Sequence, residues 1–112
     1  MNKFELFCLV FYALDKQWEK TKNHELGKFL SNANPFLFKE IGSAVADCYE
    51  NFCEIITDDV VEIGKSYEAA KIYIDKLGIT DIIQAFSKIS EDEWNIAAKK
   101  YLSNPHKGET IY

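Results

Sequence analysis

Seven carboxylates fall between Glu40 and Gly64, namely Glu40, Asp47, Glu50, Glu54, Asp58, Asp59 and Glu62, and no lysine interrupts them. The other eleven acidic residues are mixed with all thirteen lysines, so the bias belongs to one quarter of the chain. Two kinds of chemistry can use such a cluster. Paired carboxylates on facing helices hold magnesium, and the segment contains two D-x-x-E pairs, Asp47 with Glu50 and Asp59 with Glu62. Alternatively, a lysine-free ridge is a docking surface for a basic protein, whose cations relieve the repulsion within the ridge and whose approach it accelerates. The plain alternative to both is a solvated face whose imbalance is chance.

The metal reading meets its own pattern poorly. All-α nucleotide pyrophosphohydrolases of the MazG and dUTPase type carry E-x-x-E followed, on another helix, by E-x-x-D. Here both pairs begin with Asp and end with Glu, only eight residues separate them, and no basic cluster for a triphosphate accompanies them. The remaining reactive side chains offer little else. His24 and His106 are the only histidines, and His24-Glu25 is followed by Lys28 rather than by the second histidine of H-E-x-x-H. Cys8, Cys48 and Cys53 are odd in number and form no C-x-x-C, which suits reduced thiols on apolar helix faces, protonated and unreactive. Gly-rich phosphate loops are absent. The expectation is no catalytic residue, no cofactor and no metal, and therefore not an enzyme.

Charge narrows the partners. All thirteen basic residues are lysine, and with eighteen acids the net charge is -5. Phosphate and base-edge recognition leans on the arginine fork, and an acidic domain is repelled by a polyanion, so nucleic acid and anionic membrane surfaces are disfavoured. The apolar run Leu6 to Leu14 is preceded by Glu5 and closed by Asp15, Lys16 and Gln17, too short for a bilayer span and without a cleavage site after it. A cytoplasmic protein is expected, with its oligomeric state left open.

The elements that must position these groups are helical. Phe4, Phe7, Phe11, Leu14 and Trp18 recur at three- and four-residue steps, and Leu6, Leu9, Val10 and Ala13 widen the apolar arc, which predicts a central first helix. Asn23 is expected to cap a short second helix carrying Leu26, Phe29 and Leu30. Asn34-Pro35 opens a segment to Gly42 whose Phe36, Leu37, Phe38 and Ile41 are expected to plug the core. Ser43 caps a third helix with Val45, Cys48, Tyr49, Phe52 and Ile56 inward and Asp47, Glu50, Asn51 and Glu54 outward. Residues 58–63 fit either an extension of that helix to Gly64 or a short β-rich turn, with helix favoured; an extended helix would align Asp47, Glu50, Glu54 and Asp58 on one ridge. A helix begun at Ser66 and stopped by Gly78, one capped by Thr80 with Ile82, Ile83, Phe86 and Ile89 apolar, and a final helix opened by the Ser90/Glu93 capping box complete the pattern, the last burying Trp94, Ala97, Ala98 and Tyr101. The expected architecture is all-α, a compact bundle of five to six helices with short connections, as one domain over 1–102 followed by a loose tail over 103–112.

Residues 26–38, Ser43 through Phe52, Tyr67 to Leu77 and Glu93-Trp94 together resemble small all-α bacterial proteins of about this length, among them immunity proteins of contact-dependent and polymorphic toxin systems. That resemblance implies a non-enzymatic protein that neutralises a cognate basic toxin domain, nuclease toxins included, and it brings no site residue with it. The docking face expected from the charge pattern is Glu40, Asp47, Glu50, Asn51, Glu54, Asp58 and Glu62. The competing expectations are a magnesium-dependent pyrophosphohydrolase-like enzyme and a structural or regulatory homodimer that buries part of the first helix.

Overall fold

The computed structural model describes residues 1–33 and 44–103, and for 44–47 the backbone only. A helix whose apolar residues spread over more than one stripe must be covered on several sides, and α1 (Lys3–Thr21) is. Leu6, Phe7, Cys8, Leu9, Val10, Phe11 and Leu14 are buried along it. Every other helix packs on α1: α2 (His24–Ala33), α3 (Ala44–Ile55), α4 (Ile63–Leu77), α5 (Thr80–Ser87) and α6 (Glu91–Ser103). The described residues hold six helices and no strand, an all-α bundle with a radius of gyration of 13.1 Å, near the value of about 13 Å typical of a folded chain this long.

Local chemistry sets the helix ends. Asn2 and Glu5 form a capping box at the start of α1: the Asn2 side chain accepts from the Glu5 N–H at 2.8 Å, and the Asn2 N–H donates to Glu5 Oε1 at 2.9 Å. Lys22 closes the helix in the left-handed region at φ 53°, with its ammonium 4.0 Å from the Trp18 ring centroid. Asn23 accepts from the Leu26 N–H at 3.0 Å and opens α2. Gly27 lets α2 lie close to α1, since a Cβ there would come within 2.7 Å of Trp18 Nε1. Gly78 ends α4 at φ 68°, where a Cβ is disfavoured. The Ser90 hydroxyl accepts from the Glu93 N–H at 3.1 Å and donates to Glu93 Oε1 at 3.2 Å, which caps α6 with the serine half of the expected box.

Two aromatic clusters tie the helices together. Phe7 of α1, Phe52 of α3 and Tyr73 of α4 meet edge to face, at 5.5 Å for Phe7–Phe52 and 4.8 Å for Phe52–Tyr73. Tyr67, Phe86 and Trp94 join α4, α5 and α6 at 5.4–6.2 Å. Inside the second cluster Trp94 Nε1 donates to the hydroxyl of fully buried Ser66 at 2.8 Å, and Ser66 donates onward to the Ile63 carbonyl at 2.7 Å. Ser66→Ala therefore leaves a buried indole N–H without an acceptor, and the expected cost is about 1–3 kcal/mol. Urea denaturation measures it; a loss under about 0.5 kcal/mol would mean that water reaches the indole.

Several sequence expectations change. Residues 58–63 do not prolong α3, which stops at Ile55. Ile55, Ile56 and Thr57 are β-branched, Asp58 and Asp59 would face the negative end of the helix dipole, and no lysine offsets them. The connection instead makes an isolated antiparallel bridge, Asn2 with Val60, in which the Met1 ammonium donates to the Val61 carbonyl and the Val61 N–H to the Met1 carbonyl, both at 2.8 Å. Asp58 consequently leaves the ridge formed by the α3 carboxylates. Helix α4 begins at Ile63, before Ser66, because Ser66 serves the Trp94 indole from inside the helix. Thr80 is the first residue of α5 rather than its cap, a place held by Ile79. Ala97 is exposed, while Trp94 and Ala98 are buried as expected and Tyr101 is half-buried. The 34–42 plug, the Ser43 cap, the Val45 side chain and the tail beyond Ser103 lie outside the described residues.

Candidate functional site

The acidic quarter is displayed by two consecutive elements, the outer face of α3 and the connection into α4. On α3, Phe52 is fully buried, and helical geometry then turns Glu50, Asn51 and Glu54 outward, where all three are exposed. Asp58 and Glu62 are exposed in the connection, with Glu62 as the N-cap residue of α4. There its carboxylate sits at the positive end of the α4 dipole. Glu40 and the side chain of Asp47 lie outside the described residues. Asp59 is the member with a cation nearby: Lys3 Nζ stands 3.7 Å from its Oδ1, and with Asp59 98% exposed that pair contributes little. Glu50, Asn51, Glu54, Asp58 and Glu62 make no side-chain hydrogen bond or ion pair among the described residues.

An open groove of about 390 Å³ adjoins this face, between the connection and the first part of α4. Ile56 and Val61 are buried beside it, and Val60 and Ile72 stand exposed at 71% and 46%. Asp58, Glu62, Lys65 and Glu68 supply its charges. The sequence reading missed this concavity. One signal was available: Ile72 lies off the stripe of Ser66, Ala70, Tyr73 and Ile74 that α4 buries, so its apolar side chain has no place in the core.

The arrangement for metal chemistry is not the one the sequence suggested. Asp59 and Glu62 precede α4, so the two D-x-x-E pairs do not stand on facing helices, and no group of three candidate ligands occurs among the described residues. His24 is exposed at the start of α2, and His106 lies outside the described residues. Of the apolar residues on α1 that a homodimer would bury, Leu6 to Phe11 and Leu14 are covered within the chain, while Phe4, Tyr12, Ala13 and Trp18 are partly exposed. No described helix is long and apolar enough to cross a membrane.

The Cys8 thiol is a poor nucleophile. Burial, opposed in part by a hydrogen bond with Tyr101, pushes the Cys8 thiol from 9.0 up to about 12. Burial likewise raises Tyr49 to about 12, helped by its hydrogen bond with Cys53. In the unfolded chain the Cys8 thiol ionises at about 9, whereas in the fold it stays protonated. Its contribution to stability is thus complete below pH 9 and is lost as the pH rises toward 12. The urea midpoint is expected to fall between pH 8.5 and about 10.5, less steeply in Cys8→Ala. Identical slopes in the two proteins would show that Cys8 ionises freely in the fold.

The exposed acidic residues of α3 and the connection thus adjoin a part-apolar groove in which Lys65 stands among Asp58, Glu62 and Glu68, and Lys3 lies at the edge beside Asp59. No known protein family, curated protein or solved structure matches the chain.

Proposed function

We propose that the chain is a non-enzymatic binding protein, an immunity protein of the bacterial cytoplasm that neutralises a cognate basic toxin domain by covering its substrate surface. The observation that carries this reading is the display of Glu50, Glu54, Asp58 and Glu62, exposed and in no ion pair among the described residues, in the one quarter of the sequence that has no lysine. Stability alone favours interleaved lysines, since like charges four apart on a helix repel by a few tenths of a kcal/mol. A basic partner removes that repulsion, and the field of the face steers its approach. Nuclease toxins fit this chemistry, because a surface that binds a polyanion is basic.

The test has two stages. The immobilised chain is exposed to lysate of its source at low and moderate salt, with Glu50→Lys/Glu54→Lys as control bait. A basic protein retained by the native chain alone is then expressed in cells, where it should arrest growth. Co-expression of the native chain should restore growth, and the reversed chain should not. An empty column over folded bait, equal retention by both baits, or a retained protein without toxicity removes the immunity reading.

A further inference from the structure

We propose that the groove between the connection of residues 56–62 and α4 seats one short extended segment of the basic partner, a bulky apolar side chain flanked by lysine or arginine. This rests on the reading of the chain as a binder of basic proteins, and it adds which part of the partner is held and where.

Three observations converge on that occupant. Exposed large apolar residues are few among the described ones, Val60, Ile72, Ile79 and Ile96, and two of these four stand at this groove. Their solvent contact is unfavourable in the free protein and is relieved when an apolar side chain covers them. The charges select the sign of what accompanies that side chain. Asp58, Glu62 and Glu68 outnumber Lys65, so cations flanking the apolar residue are attracted while a second copy of this chain, at net -5, is repelled. The backbone selects an extended conformation. Met1 and Val61 exchange both hydrogen bonds, so antiparallel geometry turns the N–H and C=O of Val60 to the opposite edge, where they have no partner among the described residues. An exposed edge of this kind is completed by main-chain pairing with an extended segment, side chains supplying the specificity. At about 390 Å³ the groove has room for a few side chains.

The probes are three blocked pentapeptides, Lys-Lys-Ile-Lys-Lys, Lys-Lys-Ser-Lys-Lys and Glu-Glu-Ile-Glu-Glu, titrated into the full chain and followed by amide chemical shifts. The first should give saturable shifts confined to residues 57–62 and 65–72. Affinity should fall on the order of tenfold with the serine peptide, with Val60→Asn/Ile72→Gln, and with Asp58→Asn/Glu62→Gln, and the glutamate peptide should not bind. All four substituted side chains are exposed, so the helical circular dichroism and melting of both variants serve as the check on folding. Equal binding of the isoleucine and serine peptides, indifference to Val60→Asn/Ile72→Gln, or shifts scattered over the surface would reduce the effect to general charge attraction and overturn the proposal. The parent reading fails separately. A partner lost by Glu50→Lys/Glu54→Lys yet held undiminished by Val60→Asn/Ile72→Gln leaves the acidic face standing without the groove, and a partner held by both variants removes both.

Discussion

Phe52→Ala should destabilise the fold by about 3–5 kcal/mol, the largest loss expected of any single truncation in α3. Phe52 has no solvent exposure, and its ring meets those of Phe7 at 5.5 Å, Tyr49 at 6.3 Å and Tyr73 at 4.8 Å. Helices α1 and α4 thus lose their shared partner on α3 at once. The rigid rings around it cannot collapse fully into the space, so a cavity term adds to the lost burial. Against a total stability on the order of 5–15 kcal/mol, such a loss brings the chain close to its unfolding threshold. The consequence for function is direct, because Phe52 fixes the rotation of α3 about its axis and so decides that Glu50 and Glu54 face water. Asn51→Ala, one residue away on the exposed side, should change stability by less than about 0.5 kcal/mol. Urea melts of the two variants are the measurement, and a Phe52→Ala cost near that of Asn51→Ala would mean that the ring cluster is not close-packed.

What the sequence disclosed and what it hid divide along the range of the deciding interaction. The wide apolar arc of α1, the Asn23 cap, the Gly78 stop and the Ser90 cap of α6 are all settled within a few residues, and each stands where the pattern put it. The outward turn of Glu50, Asn51 and Glu54 was legible for the same reason, since burial of Phe52 fixes its helical neighbours. Residues 58–63 were not. Their apolar spacing suits either a helix or an extended turn; the β-branched run and the aspartates weigh locally against helix, but the bridge that holds the extended form is made with Met1, sixty residues away along the chain. Ser66 misled in a similar way. A serine at the head of an apolar run reads as a helix start, but Ser66 stands inside α4 and accepts from the Trp94 indole, 28 residues on. The groove needs two segments side by side, and no local pattern encodes a concavity. Its one trace was Ile72, an apolar residue on the wrong side of α4.

Glu50→Lys/Glu54→Lys should weaken the complex with the basic partner by about 3–4 kcal/mol, a loss on the order of 10²–10³-fold in affinity, while leaving the fold intact. The two effects separate for physical reasons. In the free protein both side chains are exposed, and the Glu–Glu repulsion at four-residue spacing is exchanged for Lys–Lys repulsion of similar size. The new cations also lie toward the carboxyl end of α3, where the helix dipole favours positive charge and where no basic residue now stands in the last turn. The melting temperature should therefore hold or rise slightly. In the complex every sign reverses: two attractions to the partner's cations become repulsions, in an interface from which water has been displaced and where screening is weak. Carboxylates left at the rim would alter mainly the association rate, so the partition of the loss between association and dissociation locates Glu50 and Glu54 within the interface. A centrally placed pair predicts most of the loss in dissociation, with the native complex losing affinity as salt is raised and the reversed chain responding in the opposite sense. Binding kinetics at two ionic strengths measure both. Unchanged affinity in the folded double variant would remove α3 from the docking face.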